Sequence, residues 1–483
     1  MAKSIKLNAF YKSILSILNI LFPLITAPYI ARVLSVDGFV EYNRATSMIA
    51  WFSPFAVFGV YTYGLREISK IRNNKKAVEE LFTSLFSLSV LFSLSVTICY
   101  FFIVVCFSEL RYRILYSFAS LQLLFVCFAT DWMNEAGEKY GFILVKSFLC
   151  RLLYVISVFI FIHSENDAWI YMLLSSFSVV LNNLLTFCYN KINYKFTRID
   201  IKKTAKFIKP LFVVFLLVNS SMLYTLLDRF ALTYFGDKIE LTYYHISQLL
   251  SNSVVQIASS IILVTIPRLS FYWGNNKKEE YYNLLEKSSS LFSCISIPCC
   301  AGMAYLASEI IYLYAGEKYI AGAFPFFLFC FRYLISNFDS ILAKQILLAT
   351  GNEKCLTRIY YIGGIYNVLI KSILIILGKL SAVSCIISTT SADILVIILQ
   401  MIQIKKFSIK NKTFNKNLII PFIVSMCFIF VILPIRNLFP ALSLWYAVLR
   451  CFISIVICGF FYFSVLFITK NKVLLDFIKG VKK

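Results

Sequence analysis

Ionisable side chains lie inside segments of this sequence that are otherwise apolar. Apart from the two outermost positions at each segment end, seven of them are basic: Lys146, Arg151, Arg229, Arg332, Lys344, Lys371 and Arg450. The acidic ones are Asp228, Glu309, Asp339 and Asp393. An ionised group at the centre of a bilayer costs about 2.5–3.5 kcal/mol on insertion scales, so such residues usually face protein or a water-filled cavity. The excess of basic residues favours a cavity that binds an anion.

The depth of these residues within their segments separates them into two groups. Lys344 and Glu309 lie near segment ends, where we expect their charged groups to reach the membrane interface. Arg151, Arg332 and Lys371 lie deeper, and each of them either binds a ligand or forms an internal ion pair. Cations spread over several helices suit a large anion, and a pyrophosphate on a lipid carrier has this character.

Polar side chains also follow the helical period, in which residues three or four apart share a face. One stripe contains His245, Gln248, Asn252, Gln256 and Ser259. Two others contain Arg332 with Asp339, and Asn367 with Lys371. Such stripes either join helices by hydrogen bonds or line a hydrated cavity. We predict a cavity with the supporting polar residues Asp228, Asn252, Gln256, Asp339 and Asn367.

Transmembrane helices must position these side chains. Of the 483 residues, 60% are hydrophobic and 15% are charged, whereas charged residues supply about a quarter of a soluble domain. The mean hydropathy is +0.78. Only helices and closed barrels satisfy every backbone polar group in lipid, and the apolar segments here have the length of helices. The sequence predicts an all-α membrane protein.

Fourteen spans are predicted from the apolar segments. They are residues 11–33, 43–64, 81–107, 113–131, 141–163, 168–189, 210–235, 241–266, 288–313, 323–349, 357–377, 380–402, 417–437 and 443–469. Loops on the side of the amino terminus carry 32 Lys and Arg, against 8 on the other side. Because cytoplasmic loops carry the positive excess, we expect both termini in the cytoplasm of a cell with this protein in its inner or plasma membrane.

The net charge of +23 follows from the same loops. Membrane topology and attraction to anionic membrane lipids explain it better than nucleic-acid binding does, because no basic surface with interleaved aromatic residues lies outside the predicted spans. We therefore expect membrane lipids, and no nucleic acid, among the partners.

Signatures of catalytic modules are absent from the sequence. It contains no GxxxxGK[ST] phosphate loop, no HExxH and no GxSxG. The 14 cysteines lie mostly in the apolar segments, without CxxC or Cys/His spacing for a metal. We therefore predict no enzymatic activity, no cofactor and no bound metal.

An internal repeat divides the sequence. Arg66 is followed, after six intervening residues, by Asn73-Asn74-Lys75-Lys76, and Arg268 is followed in the same way by Asn275-Asn276-Lys277-Lys278. Both motifs lie at the inner end of a predicted span. They predict two six-helix lobes in a parallel pseudo-repeat. The lobes are assigned to residues 1–200 and 201–410, and two additional helices with a cytoplasmic tail to residues 411–483.

Five short motifs occur in order along most of the chain. They are LFPLITAPYIARVL from Leu21, YGLRE from Tyr63, LDR from Leu227, IPRLS from Ile266 and QILLATGNEK from Gln345. Together they resemble the polysaccharide exporters, the O-antigen and capsule repeat-unit flippases of the multidrug/oligosaccharidyl-lipid/polysaccharide superfamily.

The resemblance implies a two-lobed bundle that works by alternating access. It would flip undecaprenyl-pyrophosphate-linked oligosaccharide units, such as O-antigen or capsule units, from the cytoplasmic to the outer leaflet. In that family, cationic residues of an inner cavity are assigned to the pyrophosphate or to anionic sugars. By position, these are Arg32, Arg66 and Arg229, the last beside Asp228; Arg32 and Arg66 either take this role or anchor the helices at the interface.

The predicted set of cavity cations is therefore Arg32, Arg66, Arg151, Arg229, Arg332 and Lys371. The predicted partner is a lipid-linked oligosaccharide, and a glycan polymerase and a chain-length regulator are candidate protein partners.

Three other functions remain open from the sequence. A multidrug exporter of the same superfamily would use acidic cavity residues for cationic drugs, whereas the excess here is basic. A peptidoglycan-precursor flippase would belong to the same superfamily. A membrane-embedded glycan polymerase would need a substantial outer loop, and the predicted outer loops are short.

Overall fold

The computed structural model describes residues 5–219, 226–409, 418–439, 443–469 and 471, and every regular element within these ranges is a helix. The chain divides into two compact units, Met1–Met222 and Leu223–Lys483. The division predicted at residues 200 and 410 stays a prediction. Both chain ends lie outside the described ranges, so the cytoplasmic location of the termini also stays a prediction.

The first unit contains ten α-helices within the described residues. They are α1 (Ile5–Val33), α2 (Val36–Val57), α3 (Val60–Ile71), α4 (Lys75–Tyr100), α5 (Arg113–Leu124), α6 (Asp131–Ala136), α7 (Tyr140–Phe161), α8 (Ala168–Asn193), α9 (Ile201–Ala205) and α10 (Ile208–Val218). Helices α3, α4, α6 and α10 share an apolar core that includes Phe82, Leu85, Trp132 and Leu211.

A break divides the second predicted span of this unit. Phe58 and Gly59, between α2 and α3, have φ angles of 45° and 76°. A side chain at Gly59 would meet the backbone of Leu211 and Phe215 in α10 at 2.9 Å. Glycine at this position therefore permits both the left-handed backbone and the close approach of α10.

The second unit contains the remaining described helices. They are α11 (Leu227–Phe235), α12 (Lys238–Gly274), α13 (Lys278–Tyr305), α14 (Ala307–Ala315), α15 (Ala323–Ser340), α16 (Glu353–Ile376), α17 (Ala382–Lys406), α18 (Ile419–Met426), α19 (Phe428–Leu438) and α20 (Leu444–Ile468). A π-helical segment, Ile341–Leu348, continues α15. One core contains Ile262, Phe292 and Val396, and a second joins α13, α19 and α20 through Phe428 and Tyr462.

Many helices, alone or joined end to end as α2 and α3 are, have the length and composition of membrane spans. Within the described residues, ten are long and apolar enough to cross a bilayer, or up to eleven if α13 and α14, which meet at a bend of 74°, form one span. The chain is thus an all-α, multi-pass membrane protein, as predicted. The number fourteen stays a prediction: residues 220–225 of the predicted span 210–235 lie outside the described ranges.

Both copies of the repeat motif lie at corresponding turns. Asn73-Asn74-Lys75-Lys76 joins α3 to α4, and Asn275-Asn276-Lys277-Lys278 joins α12 to α13. The side chain of Asn74 accepts a hydrogen bond from the backbone of Ala77 and so caps α4. Asn276 instead adopts a left-handed conformation, with φ of 56°. The motif forms the turn between two helices in both units, through a helix cap in the first and a left-handed residue in the second.

Candidate functional site

Lys371 lies in a buried polar cluster of the second unit. Its Nζ is 2.6 Å from Asp228 Oδ1 of α11. It is also 2.6 Å from Asn367 Oδ1, one turn earlier in α16. Ser388 Oγ and Thr389 Oγ1 of α17 are 3.0 and 2.9 Å away. The Asp228 side chain is 0% exposed and that of Lys371 2%, so the pair is closed to solvent.

Asp228 is satisfied on both carboxylate oxygens. Tyr244 of α12 donates its hydroxyl to Oδ2 at 2.7 Å, and Thr389 donates to the carboxylate at 2.7 and 2.9 Å. The structure thus brings together the predicted residues Asp228, Asn367 and Lys371. Sequence reasoning missed Tyr244, Ser388 and Thr389, although the polar run Ser388-Thr389-Thr390-Ser391 inside an apolar helix was an available signal.

Arg332 of α15 also forms an internal ion pair. Its Nε lies 2.7 Å from Asp393 Oδ2 of α17, and both side chains are largely buried. The guanidinium also lies 5.9 Å from the centre of the Phe329 ring. Of the two interpretations open from the sequence, the internal ion pair is the one observed for both Arg332 and Lys371.

The remaining predicted polar residues of this unit lie in separate places. Asp339 accepts hydrogen bonds from Gln400 Nε2 at 2.7 Å and from the Tyr360 hydroxyl at 3.2 Å. Asn252 contacts the Tyr333 hydroxyl, and Gln256 is exposed. The predicted stripe on α12 is therefore divided between hydrogen bonding to α15 and the surface.

Arg229 follows Asp228 in the chain but lies in a different environment. Its guanidinium contacts the His245 imidazole of α12. Its Nε is buried without a hydrogen-bond partner in the described part of the chain. No carboxylate of the described residues pairs with Arg229. The Asp-Arg pair of the family motif is therefore split between two clusters.

The first unit holds the other three predicted cations. Arg151 in α7 is half-buried, and within the described ranges no carboxylate is close enough to form an ion pair with it. Arg32 is exposed and donates to the Pro28 carbonyl at 2.8 Å. Arg66 pairs with Glu67 at 2.9 Å, with 57% of its side chain exposed.

A second buried lysine lies in the first unit. Lys146 Nζ of α7 is 2.9 Å from both carboxylate oxygens of Asp131, at the start of α6, and contacts the hydroxyl of Thr186 in α8. Lys146 is among the cations predicted within the spans, but its partners are not predicted, because Asp131 lies at the edge of the predicted span 113–131.

The prediction that Glu309 reaches the membrane interface was wrong. Its side chain is fully buried and bound by two arginines, Arg436 at 2.7 Å and Arg450 at 3.2 Å. Arg436 also donates to the carbonyl of Tyr305. These partners come from α19 and α20, so the carboxylate is neutralised within the protein instead of being solvated by water.

An apolar cavity lies in the second unit between α13, α19 and α20. Its volume is about 520 Å³, and residues such as Pro298, Gly302, Phe428, Cys458 and Tyr462 line it. Such a lining suits hydrocarbon. Within the described residues, no group of three or more His, Cys, Asp or Glu side chains could hold a metal ion.

Comparison with known proteins agrees with this architecture. The chain is 22% identical to the "Putative O-antigen transporter" of Shigella dysenteriae over 357 residues, which are 73% of this chain and 88% of that protein. It is 24% identical over 317 residues to an uncharacterized membrane protein of Methanocaldococcus jannaschii, covering 64% of this chain and 60% of that one.

Solved structures show the same fold. The lipid II flippase MurJ, in an inward closed conformation, matches 95% of this chain and 98% of its own with a TM-score of 0.73 and 15% identity. An inward-facing multidrug resistance MATE family transporter of the MOP superfamily matches 80% of this chain and 95% of its own, with a TM-score of 0.59 and 12% identity.

The family model described as polysaccharide biosynthesis protein matches residues 5–273, more than half of the chain. The motifs that indicated a polysaccharide exporter therefore led to the right family. The chain belongs to the polysaccharide biosynthesis protein family.

Proposed function

We propose that this transporter flips undecaprenyl-pyrophosphate-linked oligosaccharide repeat units, such as those of O-antigen or capsule, from the cytoplasmic to the outer leaflet by alternating access. Its place would be the bacterial inner or plasma membrane with both termini in the cytoplasm. The charge asymmetry of the loops supports that orientation. Similarity to the Shigella dysenteriae protein over most of both chains supports the glycan substrate.

The choice of an anionic substrate depends on one observation, the lack of a carboxylate partner for Arg151 among the described residues. A guanidinium in a membrane helix is costly unless it faces a polar partner or water. Arg151 has no carboxylate partner within the described residues. Guanidinium groups bind phosphate oxygens in a bidentate manner, with hydrogen bonds about twice as strong as those between neutral groups. We assign the pyrophosphate contact to Arg151.

The other predicted cations receive different roles in this proposal. Arg229, which has no carboxylate partner among the described residues, and the exposed Arg32 are additional substrate contacts. Arg332 and Lys371 are neutralised by buried carboxylates of other helices and so hold helices together. Arg66 is paired with its chain neighbour Glu67 at the surface of α3. The lining residues Asp228, Asn367 and Asp339 then act through hydrogen bonds within the second unit.

The test is complementation of a gene deletion in the host. Deletion should abolish surface glycan and strand repeat units on the cytoplasmic leaflet. Arg151→Glu, inserted at wild-type level, should reduce flipping roughly tenfold or more, because one charge-assisted contact is lost and a repulsion is added. Arg151→Lys should restore part of the activity. Exposed Arg198, replaced by Ala, is the matched control and should complement fully.

Other outcomes identify the alternatives. Full complementation by Arg151→Glu would contradict the assigned contact. Unchanged surface glycan with a loss of cell-wall precursor transport would make the chain a peptidoglycan-precursor flippase. Increased drug sensitivity alone would indicate a multidrug exporter. Complete repeat units that reach the outer leaflet but stay unpolymerised would indicate a polymerase.

A further inference from the structure

The ammonium group of Lys371 is surrounded by oxygen atoms from three helices. Asp228 Oδ1 and Asn367 Oδ1 lie at 2.6 Å, and Thr389 Oγ1 and Ser388 Oγ at 2.9 and 3.0 Å. An ammonium has three N–H donors, so four oxygens exceed what its hydrogen bonds require. We call these four side-chain oxygens the oxygen cage.

Both hydroxyls of the cage donate their protons to acceptors other than Lys371. Ser388 donates to the backbone carbonyl of Cys385 at 2.9 Å, and Thr389 donates to Asp228. Their lone pairs are thereby directed at Nζ. The other oxygen of Asp228 is held by the Tyr244 hydroxyl at 2.7 Å. The oxygens of Asp228, Ser388 and Thr389 are therefore oriented acceptors that groups other than Lys371 help to hold in place.

The chemistry of the cage is that of a site for a small cation. Its ligands are one carboxylate, one amide oxygen and two hydroxyls, which are the oxygen donors that hard cations prefer. A single carboxylate gives it one negative charge, which matches a monovalent ion. Burial of Asp228 makes an unfilled cage unfavourable, because a buried carboxylate requires a partner.

We propose that the oxygen cage is a monovalent-cation site that this chain fills permanently with its own Lys371 ammonium. Asp228 is then neutralised, and α11, α16 and α17 are joined through Lys371, at any concentration of Na⁺ or K⁺. Removal of the ammonium with the oxygens left in place turns the cage into a Na⁺ or K⁺ site. The inference does not depend on which substrate the transporter carries.

The test compares three variants of the full-length protein in detergent. Lys371→Ala empties the cage; Lys371→Met removes the charge but keeps a side chain of similar length in the same space; Asp228→Asn/Lys371→Ala removes both charges. Binding is measured by equilibrium dialysis with ²²Na⁺. Apparent Tm is measured in NaCl, in KCl and in N-methyl-D-glucamine chloride, whose cation is too large for the cage, at equal ionic strength.

Lys371→Ala should bind one more ²²Na⁺ per chain than the wild type. Its apparent Tm should rise by roughly 5 °C or more when NaCl or KCl replaces N-methyl-D-glucamine chloride. The wild type, Lys371→Met and the double variant should show neither gain. A folded Lys371→Ala protein without extra ²²Na⁺ binding would overturn the proposal, as would an equal gain in the Met variant.

Loss of folding in Lys371→Ala is itself informative. Recovery of folded protein from membranes solubilised in NaCl or KCl, but not in N-methyl-D-glucamine chloride, supports the cage as a cation site. Failure in every salt, while the double variant folds, would show that the oxygens cannot accept a free cation and would contradict the proposal.

Discussion

The two units each bury a lysine, and the two lysines are held differently. Lys146 in α7 binds Asp131 and also Thr186 of the next long helix, α8. Lys371 in α16 binds Asp228 and also Thr389 of the next helix, α17. Both lysine side chains are 2% exposed. Their carboxylates differ, because Asp131 is 18% exposed and Asp228 is 0% exposed.

The difference follows from where each carboxylate comes from in the chain. Asp131 lies 15 residues before Lys146, in the short helix α6 that leads into α7. Asp228 comes from α11, separated from α16 by several long helices. Asp131, at the start of the short helix before α7, keeps some contact with solvent. Asp228, from a helix remote in the chain, is covered on all sides, so Lys371 is the cation that balances its charge.

The largest loss of stability is expected from removal of the fully buried carboxylate of Asp228. Asp228→Ala should lower the free energy of unfolding by about 3–5 kcal/mol, because it leaves a buried ammonium without its counter-charge. Asp131→Ala should cost about 1–3 kcal/mol, since water can solvate part of the exposed site. Equilibrium unfolding in detergent micelles measures both. Equal losses would show that burial of the carboxylate does not set the cost.

A third buried carboxylate tests whether burial alone sets the loss of stability when a carboxylate is removed. Glu309 is as buried as Asp228, but one of its two arginine partners, Arg436, is 32% exposed. Glu309→Gln should cost about 2–4 kcal/mol, between the two aspartates, because Arg436 can turn to solvent while Arg450 cannot. In Glu309→Gln/Arg450→Met, part of the lost stability should return. A double variant less stable than the single one would be the contrary result.

The smallest effect concerns the threonines. Thr389→Val should cost about 1–2 kcal/mol, because the hydroxyl bridges Lys371 and the sealed Asp228. Thr186→Val keeps the same shape and should cost about 0.5–1.5 kcal/mol, since Asp131 can take a water in place of the hydroxyl. The comparison uses the same unfolding measurement. A larger loss at Thr186 would reverse the ranking of the two clusters.

Particular residues show how far the sequence predicts the site. The helical period placed Asn367 and Lys371 on one face, and the structure joins them by a hydrogen bond. Nearness to a segment end predicted that the Glu309 carboxylate reaches the interface, whereas it is buried against Arg436 and Arg450, which are more than a hundred residues away in the chain. Periodicity identifies the face of a helix but not the helix that covers it.

The sequence by itself determined the membrane location, the helical class and the family, because these depend on composition, on the length of apolar segments and on short motifs read in order. It also showed that cations exceed anions within the spans. Only the tertiary structure decided which cations are neutralised. Arg332 and Lys371 meet carboxylates from other helices, and Arg151 meets none within the described residues. Pairing depends on contacts over a few ångströms between residues remote in sequence, and that information exists only once the helices are packed.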